Sequence, residues 1–253
     1  MTITVWNCNG RFHEKFEAAD LLDADILVIP ECADENQLRK NGLSVAADTF
    51  IWVGDNPNKG LAVMARSGYT IAQLFSPSDQ LPKWAAPIRI SCPTGRNIDL
   101  LALWFFWRRR KHPFEIRTIP DVVSWFSNQF DADDLIVAGD FNNDAQWGDR
   151  YTKAANHLHT IEALAARGLC SAYHSWRGVT PGEETDKTHY RGLKDKGYPD
   201  RCHIDYVFLP AKWVPLIKSV DIGSYEDWVA PHPPRHERLS DHVPLTVRVP
   251  AIQ

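Results

Sequence analysis

The chain has 253 residues, a formal net charge of −4 and a pI near 6.2, with 44% hydrophobic and 24% charged residues. That balance suits a globular chain with a sizeable core and excludes a surface coated with positive charge for tracking along nucleic acid. No apolar run approaches the roughly eighteen residues of a membrane span, so no membrane partner is expected.

In chain order, TITVW (2–6) reads as a buried strand that ends in Asn7 and Asn9. Phe12, Phe16 and Ala19 fit one face of a helix behind it. DILVIPE (25–31) is a second strand, delivering Glu31 at its end. GLAVMAR (60–66) and IDLLALWFFW (98–107) are strands in a region, 58–107, without a convincing helix, which predicts hairpin-linked antiparallel pairing there. RRRKH (108–112), opening on Arg108, is a local cation cluster suited to one or a few phosphates.

Ile119, Val122, Val123, Phe126 and Phe130 fit a second helical face, and DLIVAGDF (134–141) is a strand leading into Asp140 and Asn142. Leu158, Ile161 and Leu164 mark a third helix that Gly168 stops. HIDYVFLP (203–210) starts a strand with Asp205, and VPLTVRVP (243–250), the last strand, follows Asp241 and His242. Helices alternating with strands in some segments, and bare hairpins in others, predict a mixed-sheet layered α/β fold. No repeat or linker-like shift interrupts the chain, so residues 1–253 are expected to form one domain.

The five cysteines, Cys8, Cys32, Cys92, Cys170 and Cys202, are odd in number and lack C-x-x-C spacing. They read as free thiols in a reducing compartment. The opening MTITVWNCNG lacks a basic stretch followed by an apolar core, so no secretory leader is expected and the cytoplasm is the expected location.

Polar and acidic residues therefore recur where buried strands begin or end, and burying several carboxylates together requires a compensating cation. Hard oxygen donors without a thiolate cluster suit Mg²⁺ or Mn²⁺, and one carboxylate, Glu31, suffices as its main anchor. The remaining groups assemble into phosphoester hydrolysis. His242 serves as general base, Asp205 orients its imidazole, Asp140 positions or deprotonates the attacking water, and Asn7 and Asn142 donate amide N–H groups to phosphate oxygens.

WNCNG, IPE, GDFNND, HIDYVF and SDHVPL, in this order, resemble the endonuclease/exonuclease/phosphatase superfamily over roughly Thr2 to Val249, the first of them in the manner of exonuclease III-type members. The resemblance implies a four-layer α/β/β/α sandwich with two mixed sheets face to face, and Mg²⁺-dependent phosphoester cleavage. It puts Asn7, Asn9 and Glu31 on the metal side, Asp140 and Asn142 at nucleophile and phosphate, and Asp205 with His242 as the Asp–His pair. Asp241 matches the acid that helps hold metal or histidine, and Gly60 in NKGLAVMAR matches a tight backbone approach. His189, in KTHYRG, falls where the family carries a Thr-aromatic segment near the site.

There is one departure. Many family members have His or Tyr at the end of the strand matching LLALWFFW, a residue that binds phosphate or protonates the leaving group. Trp104 or Phe105 stands nearest that position, and an indole N–H can donate a hydrogen bond but no proton. Either bound water or a nearby residue, with His112 and Lys111 as candidates, supplies that proton, or the activity is altered. The expected activity is a phosphodiesterase or nuclease. The alternatives are a phosphomonoesterase acting on a small phosphorylated metabolite, and a non-catalytic module that keeps the metal. The substrate is a phosphoester, nucleic acid among the candidates, and the oligomeric state stays open.

Overall fold

The computed structural model describes residues 1–74, 84–105, 118–126, 134–150, 156–190, 201–230 and 238–250. Phe130 and the basic cluster with Arg108, Lys111 and His112 lie outside the described residues. In chain order the strands are β1 (Thr2–Val5), β2 (Ile26–Cys32), β3 (Phe50–Asn56), β4 (Lys59–Ala65), β5 (Thr70–Gln73), β6 (Ala85–Ser91) and β7 (Asn97–Trp104). They continue with β8 (Leu135–Asp140), β9 (Leu169–Ser171), β10 (His189–Tyr190), β11 (Arg201–Cys202), β12 (Asp205–Pro210), β13 (Ser219–Ile222) and β14 (Leu245–Arg248).

Among the described residues these strands form two six-stranded mixed sheets, ordered β13-β14-β1-β2-β4-β3 and β5-β6-β7-β8-β12-β9, plus the β10–β11 ladder. β1 runs parallel to β2 and β7 parallel to β8, while the other pairs are antiparallel, including the β5–β6–β7 meander expected from the bare 58–107 region. The sheets pack face to face. Ile3, Val5, Ile26, Val28, Leu61 and Val63 of the first meet Ile88, Leu100, Ala102, Ile136, Ala138 and Val207 of the second in one buried cluster.

Helices cover both outer faces. Phe12 and Ala19, with Leu38 of the helix Glu35–Lys40, pack on the outer residues Leu27, Ile29 and Ala62 of the first sheet. The helix Ile119–Phe126 lays Val122, Val123 and Phe126 on Leu101, Leu103, Val137 and Phe208 of the second. That helix starts in a reciprocal cap: Asp121 N–H donates to Thr118 Oγ1 (3.3 Å), and Thr118 N–H donates to the Asp121 carboxylate (2.8 Å). The architecture is the helix–sheet–sheet–helix sandwich expected from the sequence.

One helical face differs from its reading. In the helix His157–Ala165, Leu158 is exposed, while His157, Thr160 and Leu164 are buried. His157 turns inward because its ring stacks on Tyr206, 4.5 Å between centroids, and meets Phe141 edge-on. Aromatic contact inside the second sheet's outer layer thus outweighs the apolarity of Leu158.

Four of the strands bordering the site, β1, β7, β8 and β12, carry a two-residue alternation to the rim. Ile136 and Ala138 face the other sheet, and Asp140 continues the same row; Val207 and Leu209 do likewise with Asp205. Leu100 and Ala102 lead to Trp104, and Ile3 and Val5 lead to Asn7. The core therefore opens directly onto the polar groups at one rim.

Gly139 makes the β7–β8 pairing possible. It faces Leu103 in register with φ +149°, and an added Cβ would fall 1.8 Å from the Leu103 carbonyl oxygen. Gly139→Ala is expected to destabilise the protein by about 2–4 kcal/mol, as backbone clashes in cores do, and to open the β7–β8 ladder. Denaturant unfolding measures the first, and amide exchange at Leu103 and Trp104 the second.

Candidate active site

The centre of the rim is a pair of carboxylates. Asp140 at the end of β8 faces Asp205 at the start of β12 in antiparallel register, and both are fully buried. Phe141 N–H donates to Ile204 O at 2.8 Å, while the Asp205 N–H goes to Thr188 Oγ1 at 3.1 Å. Asp140 and Asp205 thus form a pair without mutual backbone bonds, the kind in which opposed side chains approach most closely. Two like charges in that position demand positive compensation.

His242 supplies it. Its Nδ1 is 2.8 Å from Asp205 Oδ2, and its Nε2 is 4.0 Å from Asp140 Oδ2. The ring is fixed from behind. His242 N–H donates to Ser240 Oγ (3.0 Å), the His242 carbonyl accepts from Trp6 Nε1 (3.2 Å), and His189 lies against the ring at 4.5 Å between centroids.

Asp140 in turn collects three donors. Asn142 gives its backbone N–H (2.8 Å) and its amide (3.1 Å), and Asn7 gives its amide (2.9 Å). Both amides expected to grip phosphate are thus aimed at a carboxylate, so their direct work is to hold Asp140, each with a second N–H left to offer.

These contacts set the charges. Burial pushes the Asp140 carboxyl up to about 7, with the Asp205 charge raising it further against the pull of His242 and Asn7. For His242, burial alone would lower the pKa, but the adjoining Asp205, with Asp140 and Asp241, carries it up to about 10. The imidazole is therefore protonated at neutral pH. An imidazole among three acids holds its proton more firmly than a free one, and the carboxyl poised near 7 is Asp140.

The remaining residues sit on the same rim. Cys8 N–H donates to Pro30 O (3.1 Å), setting the Asn7–Asn9 turn beside Glu31, and Ser240 Oγ donates to Asn7 O (2.6 Å), setting Asp241 and His242 beside it. Asn9, with φ 51°, donates its N–H to Asn7 Oδ1, and Lys15 Nζ ties the turn by donating to the Cys8 and Gly10 carbonyls.

Glu31 has φ 65° at a break in the β2–β4 register between Pro30 and Cys32, and its carboxylate meets Lys59 Nζ at 2.8 Å. Trp104 lies beside Asp140 in the parallel register of β7 and β8. His189 and Asp241 approach at 3.9 Å, and Arg238 reaches Asp241 at 3.5 Å. Glu31 and His242 thus flank one rim, joined through Asn7.

The donor set fits a hard divalent cation. Among the described residues, Asp205 Oδ1 is buried with no hydrogen-bond partner, and the ligating atoms of Asp140, Asp205 and His242, like those of His189, Asp241 and His242, lie within 4.8 Å of one another. Glu31, Asn9 and Asp241 present oxygen donors from adjoining segments. One thiol borders the site: Cys202 Sγ lies 3.2 Å from His189 Nδ1. All five are free, and Cys8 and Cys32 are buried in the apolar layer under the first sheet, where burial pushes the Cys32 thiol well up.

Sequence reasoning missed four supports: Thr188, Ser240, Lys15 and Lys59. Thr188, fully buried, accepts from both Ile204 and Asp205 N–H. The SDH and KTH triplets contained the first two, but only the strand register shows what they hold.

No sequence-family model and no curated protein sequence matches the chain. Solved structures do. An AP endonuclease from Archaeoglobus fulgidus aligns with TM-score 0.69 at 13% identity, covering 99% of this chain and 100% of that one. A 3′-5′ exonuclease from Neisseria meningitidis aligns with TM-score 0.62 at 18% identity, over 98% and 99%. An AP endonuclease from Leishmania major aligns with TM-score 0.64 at 12% identity, over 97% and 86%.

The electrostatics predict a pH dependence of stability without metal. Between its ordinary value, 3.8, and about 7, folded Asp140 binds a proton that the unfolded chain has released, so its contribution to stability falls as pH rises through that window. His242, raised from 6.5 to about 10, contributes stability below 6.5 that is lost as pH climbs through 10. Denaturant unfolding in chelator across pH 4 to 7 is expected to show the first slope in the wild type and a flatter one in Asp140→Asn. Equal slopes would remove Asp140 as a buried acid.

Proposed function

From the endonuclease/exonuclease/phosphatase fold that this chain carries, we propose that it is a divalent-metal-dependent phosphoester hydrolase acting on phosphodiesters, nucleic acids among them. The observation that carries the reading is the buried Asp140–Asp205 pair with His242 seated between its members.

Glu31, with Asn9 and Asp241, would hold Mg²⁺ or Mn²⁺, which when bound supplies Lewis-acid polarisation of the phosphoryl group. Asp140 holds a water and takes its proton as the water oxygen attacks phosphorus in line with the departing oxygen. Asn7 and Asn142 keep Asp140 in place for that attack. His242, as imidazolium, donates a hydrogen bond to a phosphoryl oxygen where negative charge grows. Asp205 holds the ring in orientation and keeps it charged. Trp104 borders the cleft and offers an indole edge and face but no proton.

A structural neighbour, a 3′ phosphatase from Neisseria, is bound to a product DNA hairpin, which supports nucleic acid as the substrate class. That it is a phosphatase also favours a second reading, monoester hydrolysis at the same site. The free cysteines support the cytoplasm as the location.

With Mg²⁺ or Mn²⁺ the chain is expected to hydrolyse bis-aryl phosphodiesters and DNA or RNA. His242→Ala and Asp140→Asn are expected to lower kcat/KM by about 10²–10⁴, and Glu31→Gln to raise the metal concentration needed. Equal rates for wild type and His242→Ala would reject the reading. Matched mono- and diesters at one concentration separate the two substrate classes.

A further inference from the structure

Lys59 is a rim cation whose partner is the metal-side carboxylate of Glu31. Its placement is built rather than incidental. Asn56 pairs with Lys59 across the β3–β4 turn, and Asn58 N–H closes that turn on Asn56 Oδ1 at 3.0 Å. The turn is tied to the segment after β2, since Asp34 N–H donates to Pro57 O at 2.7 Å. Next to Lys59, Gly60 lies under the Trp52 ring, so close that an added Cβ would come within 2.4 Å, the tight approach expected at this glycine. Trp52 Nε1 in turn donates to Cys32 O at 3.0 Å.

The hairpin is thereby locked onto the end of β2, and the bulge at Glu31 turns its carboxylate out of the ladder to meet Lys59 Nζ at 2.8 Å. The same ammonium lies over the Trp104 ring at 5.7 Å from its centroid. Lys59 belongs to the first sheet and Trp104 to the second, so the side chain bridges the mouth of the cleft beside Asp140.

A divalent ion bound at Glu31 would compete with Lys59 for that carboxylate and repel its ammonium. On the cleft side the face of Trp104 offers the ammonium a favourable surface. A substrate phosphoryl group arriving there would be an anion within its reach.

We propose that Lys59 is a substrate-phosphate ligand gated by metal at Glu31: paired with Glu31 in the metal-free chain, it is released across Trp104 to donate an N–H to a phosphoryl oxygen when the metal binds. The lysine keeps its proton throughout, and no bond forms or breaks at it. The inference deepens the proposed function and rests on its metal assignment.

The test uses the full chain with Lys59→Met and Lys59→Arg. Lys59 is about half exposed, so both are expected to fold, which circular dichroism checks. Mn²⁺ titration by calorimetry, without substrate, is expected to show several-fold tighter binding by Lys59→Met, whose competing ammonium is gone, and wild-type affinity for Lys59→Arg. At saturating Mg²⁺, inorganic phosphate is expected to bind about tenfold or more weakly to Lys59→Met, the worth of a charge-assisted hydrogen bond, with most affinity kept by Lys59→Arg. Either affinity staying within about twofold of wild type in Lys59→Met overturns the inference. Because both readouts are binding, they decide the lysine even if the wild type hydrolyses no phosphoester, an outcome that would sink only the catalytic reading.

Discussion

Two carboxylates, Asp140 and Asp205, opposed on neighbouring strands and both fully buried, are the constraint on which the rest of the site depends. Removing water from two like charges is tolerable only with positive charge and donors at hand, and leaving one uncompensated costs about 3–5 kcal/mol. The surrounding groups follow from that demand. His242 takes a proton and sits on Asp205; Asn7 and Asn142 turn their amides onto Asp140; Thr188 anchors the Asp205 backbone. The sheet creates the problem by its register, and residues distant in sequence answer it. A divalent cation at the rim would add to the compensation that His242 supplies.

The two-residue alternation of the strands carries the core into the site without a boundary. Asp140, Asp205, Trp104 and Asn7 are the next members of rows whose earlier members pack the two sheets together. Glu31 breaks the pattern, because the inward row of β2 passes through Val28 and would continue at Pro30, leaving Glu31 with the outward residues Leu27 and Ile29. The bulge with φ 65° turns Glu31 out of that row. A β-carbon in the left-handed region is unfavourable for glutamate, and strain of this sort persists where the surroundings over-determine it. Asn9 and Asn142, also at positive φ, adopt it more readily because asparagine tolerates that region.

This geometry explains what could be read from the chain. Strand runs bounded by turn residues gave all seven expected strands, and the groups at their ends gave Asn7, Glu31, Asp140, Asp205, Asp241 and His242 as neighbours on one rim. Short strands such as Leu169–Ser171 and His189–Tyr190 escaped because they are fixed by pairing with β12 and β11 rather than by their own pattern. Charge state escaped for a related reason. That His242 holds its proton depends on three acids gathered from other segments, which no local stretch reveals. Lys59 carried no signal of its own, because the β2–β4 register is what sets it against Glu31.

The same dependence on long-range register governs a polar layer behind the site. His203 N–H donates to Asp144 Oδ2 at 3.0 Å, and His203 Nδ1 lies 2.9 Å from Asp186 O. His174 bridges Ser171 Oγ and Glu184 Oε1 at 2.8 and 2.9 Å. Tyr206 OH donates to His203 O at 2.6 Å. Burial lowers His203 to about 4 and His157 to about 3, so both rings are neutral where His242 is charged. The difference is one of neighbours: His242 touches an anionic carboxylate, whereas His157 lies against Tyr206 and Phe141. Neutral rings on one side of β12 and a charged ring on the other leave Asp205 with one close positive partner. Its Oδ2 is engaged by His242 while Oδ1 has no hydrogen-bond partner among the described residues, so the positive charge of His242 lies at the rim beside an open carboxylate oxygen.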